Sequence, residues 1–543
     1  MRVALVSSLT LLVVVTAATV IPSLSLHNQT ATASFNSLLP SSTALSQNCH
    51  CNTPHTRQQW CEYDIHTDYA TEAPDTGVTR KYWFNLEHVT MAPDGHSRFA
   101  LAINGSIPGP TIEADWGDYV VVHLTNNLPD TGKNGTSIHF HGIRQNYTNP
   151  PNGVVSITQC LLAPNNTMTY RWRAVQYGNT WYHSHIDLQA WEGLFEALSY
   201  GGLPLYTTAQ ENGPLYLDSG LINGTNVYGY DDNANQTGYR FNTFTASMSY
   251  RLRLINVACD THFKFMLDNH TMTVIANDLV PIHPYNTTVQ TSPCVSQRHD
   301  AIISADQGAV AQAFWLRAIP QSACSQNLNP DNIKGIVYYG DEPQIPTTAP
   351  YTYTDSCEDE NTSDLRPVVT PDPTVSTVPF YNTSEPVSLA KNAQSLYRWK
   401  LNSTSVHVDW TDPTLLEVNR VLPRANEWVY VIIETSLSVP HPVHLHGHDF
   451  YILAQGSGTY DGSTTPIDSL GMDGLPRRDT AMLKENGHLV VAFRTDNPGA
   501  WLMHWHIGWH TEEGFETQFL ERYSEVQGLL DGYKEELKEN WQT

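Results

Sequence analysis

The sequence predicts an all-β protein of about three domains. Short stretches of alternating, β-branched residues, such as YVVVHLTNN at 119–127, are separated by Gly and Pro, which is typical of the strands of a sandwich or barrel. A chain of 543 residues is long enough for roughly three domains of ~150 residues each. In addition, paired histidines recur at domain-sized intervals along the chain. Together these observations indicate β domains that carry a metal site.

The histidines occur as His-x-His triplets. On a strand, side chains two residues apart point to the same face, so both imidazoles of a triplet face one side. With 24 His in 543 residues, roughly one triplet is expected by chance, whereas five occur. Imidazole binds copper, zinc, iron and nickel, so the pattern alone does not choose the metal. Four separate motifs contain His139 and His141, His183 and His185, His444 and His446, and His504 and His506; the fifth triplet, His446 and His448, overlaps the third motif.

In this order the motifs resemble those of the multicopper oxidases and, within them, the ascomycete laccases. The likeness covers about residues 50–525. It extends to NGSIPGPTIEADWGD at 104–118, YRLRLINVACDTHFKFMLDNH at 250–270, SQRHD at 296–300, RRD at 477–479 and TDNPGAWLMHWH at 495–506. The resemblance implies three cupredoxin-like Greek-key β-barrel or sandwich domains. It also implies copper as cofactor, O2 as electron acceptor and a phenolic or polyketide-derived substrate, as in secondary metabolism or pigment formation.

The chain divides into segments of different composition. Its first residues contain one basic residue, an apolar run and small residues, which is typical of a secretory signal peptide. A later stretch is rich in Pro, Thr and Asp, which predicts a linker on the surface. The predicted segments are a signal peptide (1–25), an N-terminal extension (26–80), three cupredoxin domains (81–206, 207–345 and 396–525), a linker (346–395) and a charged helical tail (526–543).

Charge and sequons bound the partners and the compartment. The chain has 54 acidic and 29 basic residues, which disfavours a nucleic-acid partner and gives no basic surface for anionic membranes. About a dozen N-x-[ST] sequons, including Asn104, Asn223 and Asn402, agree with a secreted, N-glycosylated protein. We expect a monomer that acts on a small phenolic compound.

The eight cysteines suit a few disulfides in an oxidising compartment. Pairings of Cys324 with Cys357 and of Cys51 with Cys61 are compatible with their spacing, although the connectivity cannot be derived from the sequence. No cysteine lies beyond Cys357. The third domain therefore contains no thiolate of its own.

Carried over residue by residue, the resemblance implies a trinuclear copper cluster between the first and third domains. It assigns His139 and His444 to the type 2 copper, and it assigns the type 3 pair to His141, His183, His185, His446, His504 and His506. A buried polar network of histidines is the alternative to a metal site. His448 is expected to support the cluster or to pack beside it, and the scattered His262, His270, His283 and His299 are expected to be ordinary structural or surface residues.

The type 1 site departs from the family pattern. His441 and His510 match the two imidazoles of that site, and Phe515 falls at the axial position, where a non-ligating residue is ordinary. Laccases have a cysteine between the histidines of the last motif, and this chain has Trp505. An indole offers no lone pair to a metal, so a type 1 blue copper is not expected. Trp505 lies between two cluster ligands, where we hypothesise that it relays electrons by transient oxidation.

A second departure is Asn152 in PPNGV, where laccases have an aspartate suited to handing protons to oxygen.

Three functions remain open. The favoured one is a laccase-like oxidase in which Trp505, Asn152 and His510 form the catalytic set. The second is a non-oxidative cyclase, or a protein that directs coupling of radicals made elsewhere, with a phenolic compound near His441, His510 and Trp505. The third is a copper-binding or ligand-binding relative without turnover.

Overall fold

The computed structural model describes residues 10–21, 62–95, 97–130, 134–186, 188–191, 193, 216–217, 219–227, 240–291, 295–340, 344–369, 381–391, 397–401, 419–462, 474–508, 511, 516–531 and 533. Strands dominate these ranges, so the predicted all-β class is confirmed. The described helical elements are α1 (Tyr523–Leu530) and two 3-10 turns, Pro150–Asn152 and Thr362–Asp364. Within the described ranges no helix has the length and apolar character needed to cross a membrane.

The first strand of the chain, β1 (Thr10–Ile21), pairs with strands of the second domain and is described with them. In the first domain, four strands form a sheet in the order β3-β2-β4-β6, and β5 pairs with β7 in a separate short sheet. Alternate residues of β4 are buried, as the sequence pattern predicts. The strands are β2 (Thr79–Met91), β3 (Arg98–Ile103), β4 (Tyr119–Asn126), β5 (His139–Phe140), β6 (Thr167–Arg173) and β7 (Tyr182–His183).

The second domain packs two larger sheets around a core that includes Phe263, Phe265 and Phe314. One has the order β14-β13-β16-β11-β1-β9 and the other β10-β19-β17-β12-β15, while β8 pairs with β18. The strands are β8 (Tyr216–Leu217), β9 (Ser219–Ile222), β10 (Arg240–Phe244), β11 (Ser249–Asn256), β12 (Phe263–Leu267), β13 (Met272–Asn277), β14 (Val280–Thr287), β15 (Gln290–Thr291), β16 (Arg298–Ser304), β17 (Ala313–Pro320), β18 (Gln326–Asn327) and β19 (Lys334–Tyr339).

The N-terminal stretch predicted as a signal peptide contributes β1 to this sheet. Its backbone pairs in parallel with β9 and antiparallel with β11. Cleavage at about residue 25 would therefore remove a strand from between β9 and β11. Secretion stays a prediction, and the N-terminal sequence of the mature protein would test it.

The third domain packs a sheet of order β21-β20-β23-β28-β25-β26 against one of order β22-β30-β29-β24-β27. Val431, Phe450 and Trp505 are part of its core. The strands are β20 (Tyr381–Lys391), β21 (Tyr397–Leu401), β22 (Asn419–Leu422), β23 (Trp428–Thr435), β24 (His441–Leu445), β25 (Phe450–Ser457), β26 (Arg477–Arg478), β27 (Thr480–Leu483), β28 (Gly487–Arg494), β29 (Gly499–Trp505) and β30 (Glu516–Glu521).

Two predicted boundaries need correction. Residues Tyr381–Lys391 fall in the predicted linker, yet they form β20, because their backbone pairs with β23 and β21. The third domain therefore begins before residue 396. The C-terminal helix α1 begins at Tyr523, before the predicted tail. The linker is also less superficial than predicted, since Glu360 is buried against the second domain.

One of the two predicted disulfides is present in the described part of the chain. Cys324 and Cys357 are bonded, with an S–S distance of 2.03 Å. The bond ties the linker to the end of the second domain. Cys51 and Cys61 lie outside the described residues, and Cys160 and Cys259 are free thiols.

Candidate metal centre

Two pairs of neighbouring strands bring the four His-x-His motifs together. In the first domain, β5 and β7 pair so that His139 lies opposite His183. In the third domain, β24 and β29 pair so that His444 lies opposite His504. Because opposite residues of paired strands share a face, each pairing gathers imidazoles on one side of its sheet. This is the arrangement that the two-residue spacing predicts.

The two sets of histidines meet where the first and third domains touch. The ring centroids of His139 and His446 are 4.1 Å apart, and those of His141 and His444 are 3.9 Å apart. Possible ligand atoms lie within 4.8 Å of one another in three triads, which are His139 with His141 and His444, His141 with His183 and His506, and His185 with His446 and His504. All eight predicted cluster histidines belong to these triads.

Backbone carbonyls fix the orientation of four of these rings. The Nδ1 atoms of His139, His183, His444 and His504 lie 2.7, 2.8, 2.8 and 2.7 Å from the carbonyl oxygens of Asn152, Ser184, Asp479 and Trp505. A carbonyl only accepts, so each Nδ1 carries the proton and each Nε2 keeps its lone pair. Among the described residues, Nε2 of His139, His183 and His444 has no hydrogen-bond partner.

A buried nitrogen without a partner is costly, by about 1–3 kcal/mol each. His506 likewise has no described partner at either ring nitrogen. Several such lone pairs that converge on three points would be a severe defect in a purely structural network. A bound metal ion at each point satisfies them, so the donor set fits metal ions that accept imidazole ligands.

His141 is oriented differently, by Asp479. Its Nε2 lies 3.3 Å from Oδ1 of Asp479, which leaves Nδ1 without a described partner and free to face the cluster. Arg298 donates to both carboxylate oxygens of Asp479, at 2.7 and 2.6 Å. Gly142 has a positive φ, and a side chain there would collide with Arg298 and Asp479. The sequence HFHG is therefore adapted to this ion pair.

Electrostatics keep the imidazoles in the form that binds metal. Burial lowers the pKa of His185 to about 4. It also lowers the pKa of His139, His141, His183, His446, His504 and His506 well below the ordinary value, and neighbouring imidazoles add to the effect for each of them. Burial alone would raise the pKa of Asp479, but the charge of Arg298 and the hydrogen bonds from His141 and His444 hold it well below its usual range. Burial therefore favours the neutral form of these seven imidazoles, and one carboxylate, that of Asp479, lies beside them.

Asn152 connects ligands of both domains. It ends the 3-10 turn Pro150–Asn152, and its carbonyl accepts from His139. Its side-chain amide lies 3.1 Å (Nδ2) and 3.4 Å (Oδ1) from Nδ1 of His446. Gly153 follows with a positive φ, and a side chain there would collide with the carbonyl of Ile138. Asn152 thus lies beside the cluster, and as an amide it cannot supply a proton by ionising.

Trp505 points away from the cluster into the core of the third domain. It lies opposite Val443 in the β24·β29 pairing, so its indole occupies the face opposite to His504. The side chain is fully buried, and its ring stacks on His441 with 3.5 Å between centroids and 19° between planes. The space beside His441 is therefore occupied by an aromatic ring.

The other predicted residues are placed as follows. His510 and Phe515 lie outside the described residues. His448 contacts Glu521, with Nε2 3.0 Å from Oε2, and does not belong to the triads. His262, His270 and His299 are buried in the second domain, His283 is exposed, and none of the four belongs to a triad.

Comparisons with known proteins identify the family. Sequence profiles described as "Multicopper oxidase" match residues 85–199, 173–341 and 382–525. "Laccase-2" of Botryotinia fuckeliana is 40% identical over 522 residues, which span 88% of this chain and 87% of that protein. The chain belongs to the multicopper oxidase family. "Oxidoreductase OpS5" of Beauveria bassiana, a further relative, is 40% identical over 533 residues and matches 88% of this chain and 87% of its own.

A solved structure agrees with this membership. The laccase from Botrytis aclada has a TM-score of 0.79 and 37% identity, over 91% of this chain and 97% of its own. Multicopper oxidases use copper, and the three histidine triads are consistent with copper sites. The cupredoxin fold predicted from the motifs is confirmed, as is the class of laccase-like copper oxidoreductase.

Sequence reasoning missed several residues of the site. Asp479 and Arg298 lie in RRD and SQRHD, which carried the resemblance but received no role. Trp181 was also missed, although its ring stacks on His183 at 4.1 Å and on His141 at 5.2 Å. Asp260 lies beside the last motif, since its neighbour Cys259 accepts a hydrogen bond from the backbone of Gly508 at 3.2 Å. Burial raises the pKa of Asp260 to about 7.

Proposed function

We propose that this multicopper oxidase is a secreted, monomeric, laccase-like enzyme that oxidises a phenolic or polyketide-derived compound with O2, using a trinuclear copper cluster and no type 1 copper. The observation that carries the proposal is the convergence of eight buried histidines on three points, with unpartnered ring nitrogens facing those points. In this proposal the enzyme acts in secondary metabolism or pigment formation.

The ligand roles follow from the triads and the resemblance. His139 and His444 hold the type 2 copper. His141, His183 and His506 hold one type 3 copper, and His185, His446 and His504 hold the other. When bound, the coppers supply the reduction of dioxygen to water with electrons drawn from the substrate. The chain itself orients four of the imidazoles through backbone carbonyls and His141 through Asp479, and it keeps the site free of bulk water.

Proposed absence of the type 1 copper rests on Trp505. A blue copper site needs a cysteine thiolate together with two imidazoles. Trp505 takes the position of that cysteine, offers no lone pair, and stacks on His441. The third domain contains no cysteine, because the last cysteine of the sequence is Cys357. We therefore assign no metal to His441 and His510.

Electrons then need another path from the substrate. Trp505 is covalently linked to His504 and His506, and its carbonyl accepts from His504. In the proposal Trp505 gives up one electron, for which O2 is the final acceptor, and regains one from the phenol. The phenol loses its proton to solvent and leaves as a radical. The variant Trp505→Phe keeps an aromatic ring in the core but removes the readily oxidised indole. Substrate-dependent oxygen uptake should fall strongly, and unchanged turnover would reject the relay.

A non-oxidative function is the alternative. The combination of Trp505 and Asn152 favours it, since both alter groups that a laccase uses for electrons and protons. In that function the protein would bind a phenolic compound near His441 and direct its cyclisation, or couple radicals made elsewhere. Oxygen electrodes and product analysis distinguish the two: oxidation consumes O2 in proportion to product, whereas product formed with no O2 uptake would establish the alternative. Bound copper with no turnover of any phenol would indicate a binding protein.

A further inference from the structure

The linker between the second and third domains contributes a buried acidic residue, Asp359. Its side chain is 3% exposed. The carboxyl group accepts hydrogen bonds from Nε2 of Gln297, from Nε2 of Gln455 and from the backbone N–H of Met482, each at 2.9 Å. Three donors from two different domains therefore fix this buried group in one position. The proposed oxidation of a phenol gives Asp359 no role.

The partners of Asp359 complete the free edge of β27. This strand pairs with β24 on one side and ends its sheet within the described ranges. On the other side Gln297 donates to the carbonyl of Thr480 at 3.0 Å, and Gln455 donates to the carbonyl of Met482 at 2.6 Å. Each amide nitrogen thus gives one proton to Asp359 and the other to β27. Asp359 and the two amides take the place of a neighbouring strand.

The strand β27 supports two of the cluster histidines. Its first residue, Thr480, lies opposite His444 in the β24·β27 pairing. The Thr480 hydroxyl lies 3.2 Å from Nδ1 of His444 and 3.5 Å from Nε2 of His141. Asp479 precedes Thr480, and its carbonyl contacts His444 while its carboxylate contacts His141. A displacement of β27 would therefore move the partners of both imidazoles, which belong to one triad with His139.

Two anchors hold the linker at Asp359. Two residues earlier, Cys357 forms the disulfide with Cys324. One residue later, Glu360 contacts His299, with 2.5 Å between Oε1 and Nε2. Both anchors join the linker to the second domain. Because the chain is fixed on both sides of Asp359, the carboxyl group is a rigid support for β27.

We propose that Asp359 is a positioning residue for the copper cluster. It fixes β27 where Thr480 and Asp479 contact the two ligand rings. Groups that hold a metal ligand set the orientation of its ring and the basicity of its nitrogen, so they affect both the affinity and the spectrum of the metal. The inference rests on the proposed ligand roles of His141 and His444. It does not depend on the substrate or on the absence of a type 1 copper.

The first test measures hydrogen exchange in copper-free protein. Asp359→Asn keeps one acceptor oxygen, but the other oxygen becomes a donor that faces donors. Backbone amides of β27 should then exchange about tenfold faster than in wild type, because a buried hydrogen bond to the strand edge is lost. Asp355→Asn is the matched control. Asp355 lies in the same linker and accepts from the backbone N–H of Ser322 at 3.2 Å, but it is exposed, so its loss should leave exchange in β27 unchanged.

The second test measures the copper-loaded proteins below the unfolding transition of each. Transfer of copper to a chelator gives the affinity, and electron paramagnetic resonance gives the type 2 spectrum. In Asp359→Asn the affinity should fall about tenfold, at the low end of the effect of groups that support metal ligands, and the hyperfine splitting should change. Cys324→Ser with Cys357→Ser releases one anchor and should change both quantities in the same direction. Asp355→Asn should match wild type.

Two results would overturn the proposal. Unchanged exchange in β27 of Asp359→Asn would show that the carboxyl group does not hold the strand. A lower unfolding midpoint for Asp359→Asn, with the copper affinity and type 2 spectrum of wild type, would show that the residue only joins the domains. Failure of the proposed copper ligands is distinguishable from both, since it would appear as wild-type protein without copper, whereas hydrogen exchange requires no copper.

Discussion

At the scale of single residues, eight converging histidines lie beside two residues that, in the proposed function, depart from the laccase pattern. Trp505 and Asn152 both contact the ligands, through the peptide chain and through His446 respectively. Neither disturbs the convergence of the eight imidazoles. In the proposed function these two positions affect turnover and not copper binding, and each can be tested by one substitution.

Trp505→Cys tests whether the indole alone excludes a type 1 copper. The variant places a thiol beside His441 and empties the volume of the indole. We expect an additional copper per chain and an intense blue absorption. We also expect a loss of stability of about 3 kcal/mol, because a large core ring is removed. Metal analysis, the visible spectrum and thermal unfolding measure these effects. Trp505→Ala, which empties the same volume without a thiol, should be destabilised and colourless.

Asn152→Asp tests the proposed shortage of an ionisable group at the cluster. A carboxylate at this position would face Nδ1 of His446 and could carry a proton. We expect oxygen uptake with a phenolic substrate to rise by about 100-fold, at the low end of general acid–base catalysis. Asn152→Ala removes the contact to His446 without adding a carboxyl and should show no gain. A rate for Asn152→Asp at or below that of wild type would contradict the role given to position 152.

At the scale of elements, the spacing of side chains on strands explains which site residues could be predicted from the sequence. The His-x-His spacing on β5, β24 and their paired strands β7 and β29 places imidazoles on one side of each sheet. The ligands could therefore be predicted from short sequence motifs. Asp479 and Arg298 could not, because their contact joins residues 181 positions apart and depends on how β16 packs against β26 and β27. The linker boundary failed for a similar reason, since β20 contains Pro386 and polar residues and is a strand through its pairing with β23.

The linker gives a prediction that depends on pH. Burial would raise the pKa of Glu360, but His299 and Arg478 lower it to about 2 from an ordinary value of 4.5. The interaction of the Glu360 carboxylate with His299 and Arg478 therefore stabilises the protein above about pH 4.5, and this stability is lost as the pH falls towards 2. We expect Glu360→Gln to cost about 3 kcal/mol at pH 7. The deficit relative to wild type should shrink below pH 4.5.

Glu358→Gln is the matched control for the linker. Glu358 lies two positions away and pairs with Lys484 at 2.9 Å, but its side chain is 63% exposed. A pair in this environment contributes less than about 1 kcal/mol. Denaturant unfolding of the two variants from pH 7 to pH 3 measures both effects. Equal losses for both variants, or a deficit for Glu360→Gln that grows in acid, would contradict the assignment.

At the scale of the whole molecule, the histidine cluster lies between the first and third domains and contains residues of both. All three triads include ligands from both domains. Copper should therefore stabilise the folded chain by holding two domains together, by about 4 kcal/mol when free copper exceeds the Kd a thousandfold. Thermal unfolding of copper-loaded and chelated protein measures this. His444→Ala should lose most of the difference, and His283→Gln, outside the cluster, should keep it. Identical melting with and without copper would contradict a metal joint.

The most direct measurement is the copper content of the purified, copper-loaded protein together with its visible and electron paramagnetic resonance spectra. We expect one copper for each of the three triads, a type 2 resonance signal and no intense blue band. A fourth copper with a blue band would contradict the exclusion of a type 1 site by Trp505. Protein that binds no copper would contradict the cluster itself, and the converging histidines would then be a structural network.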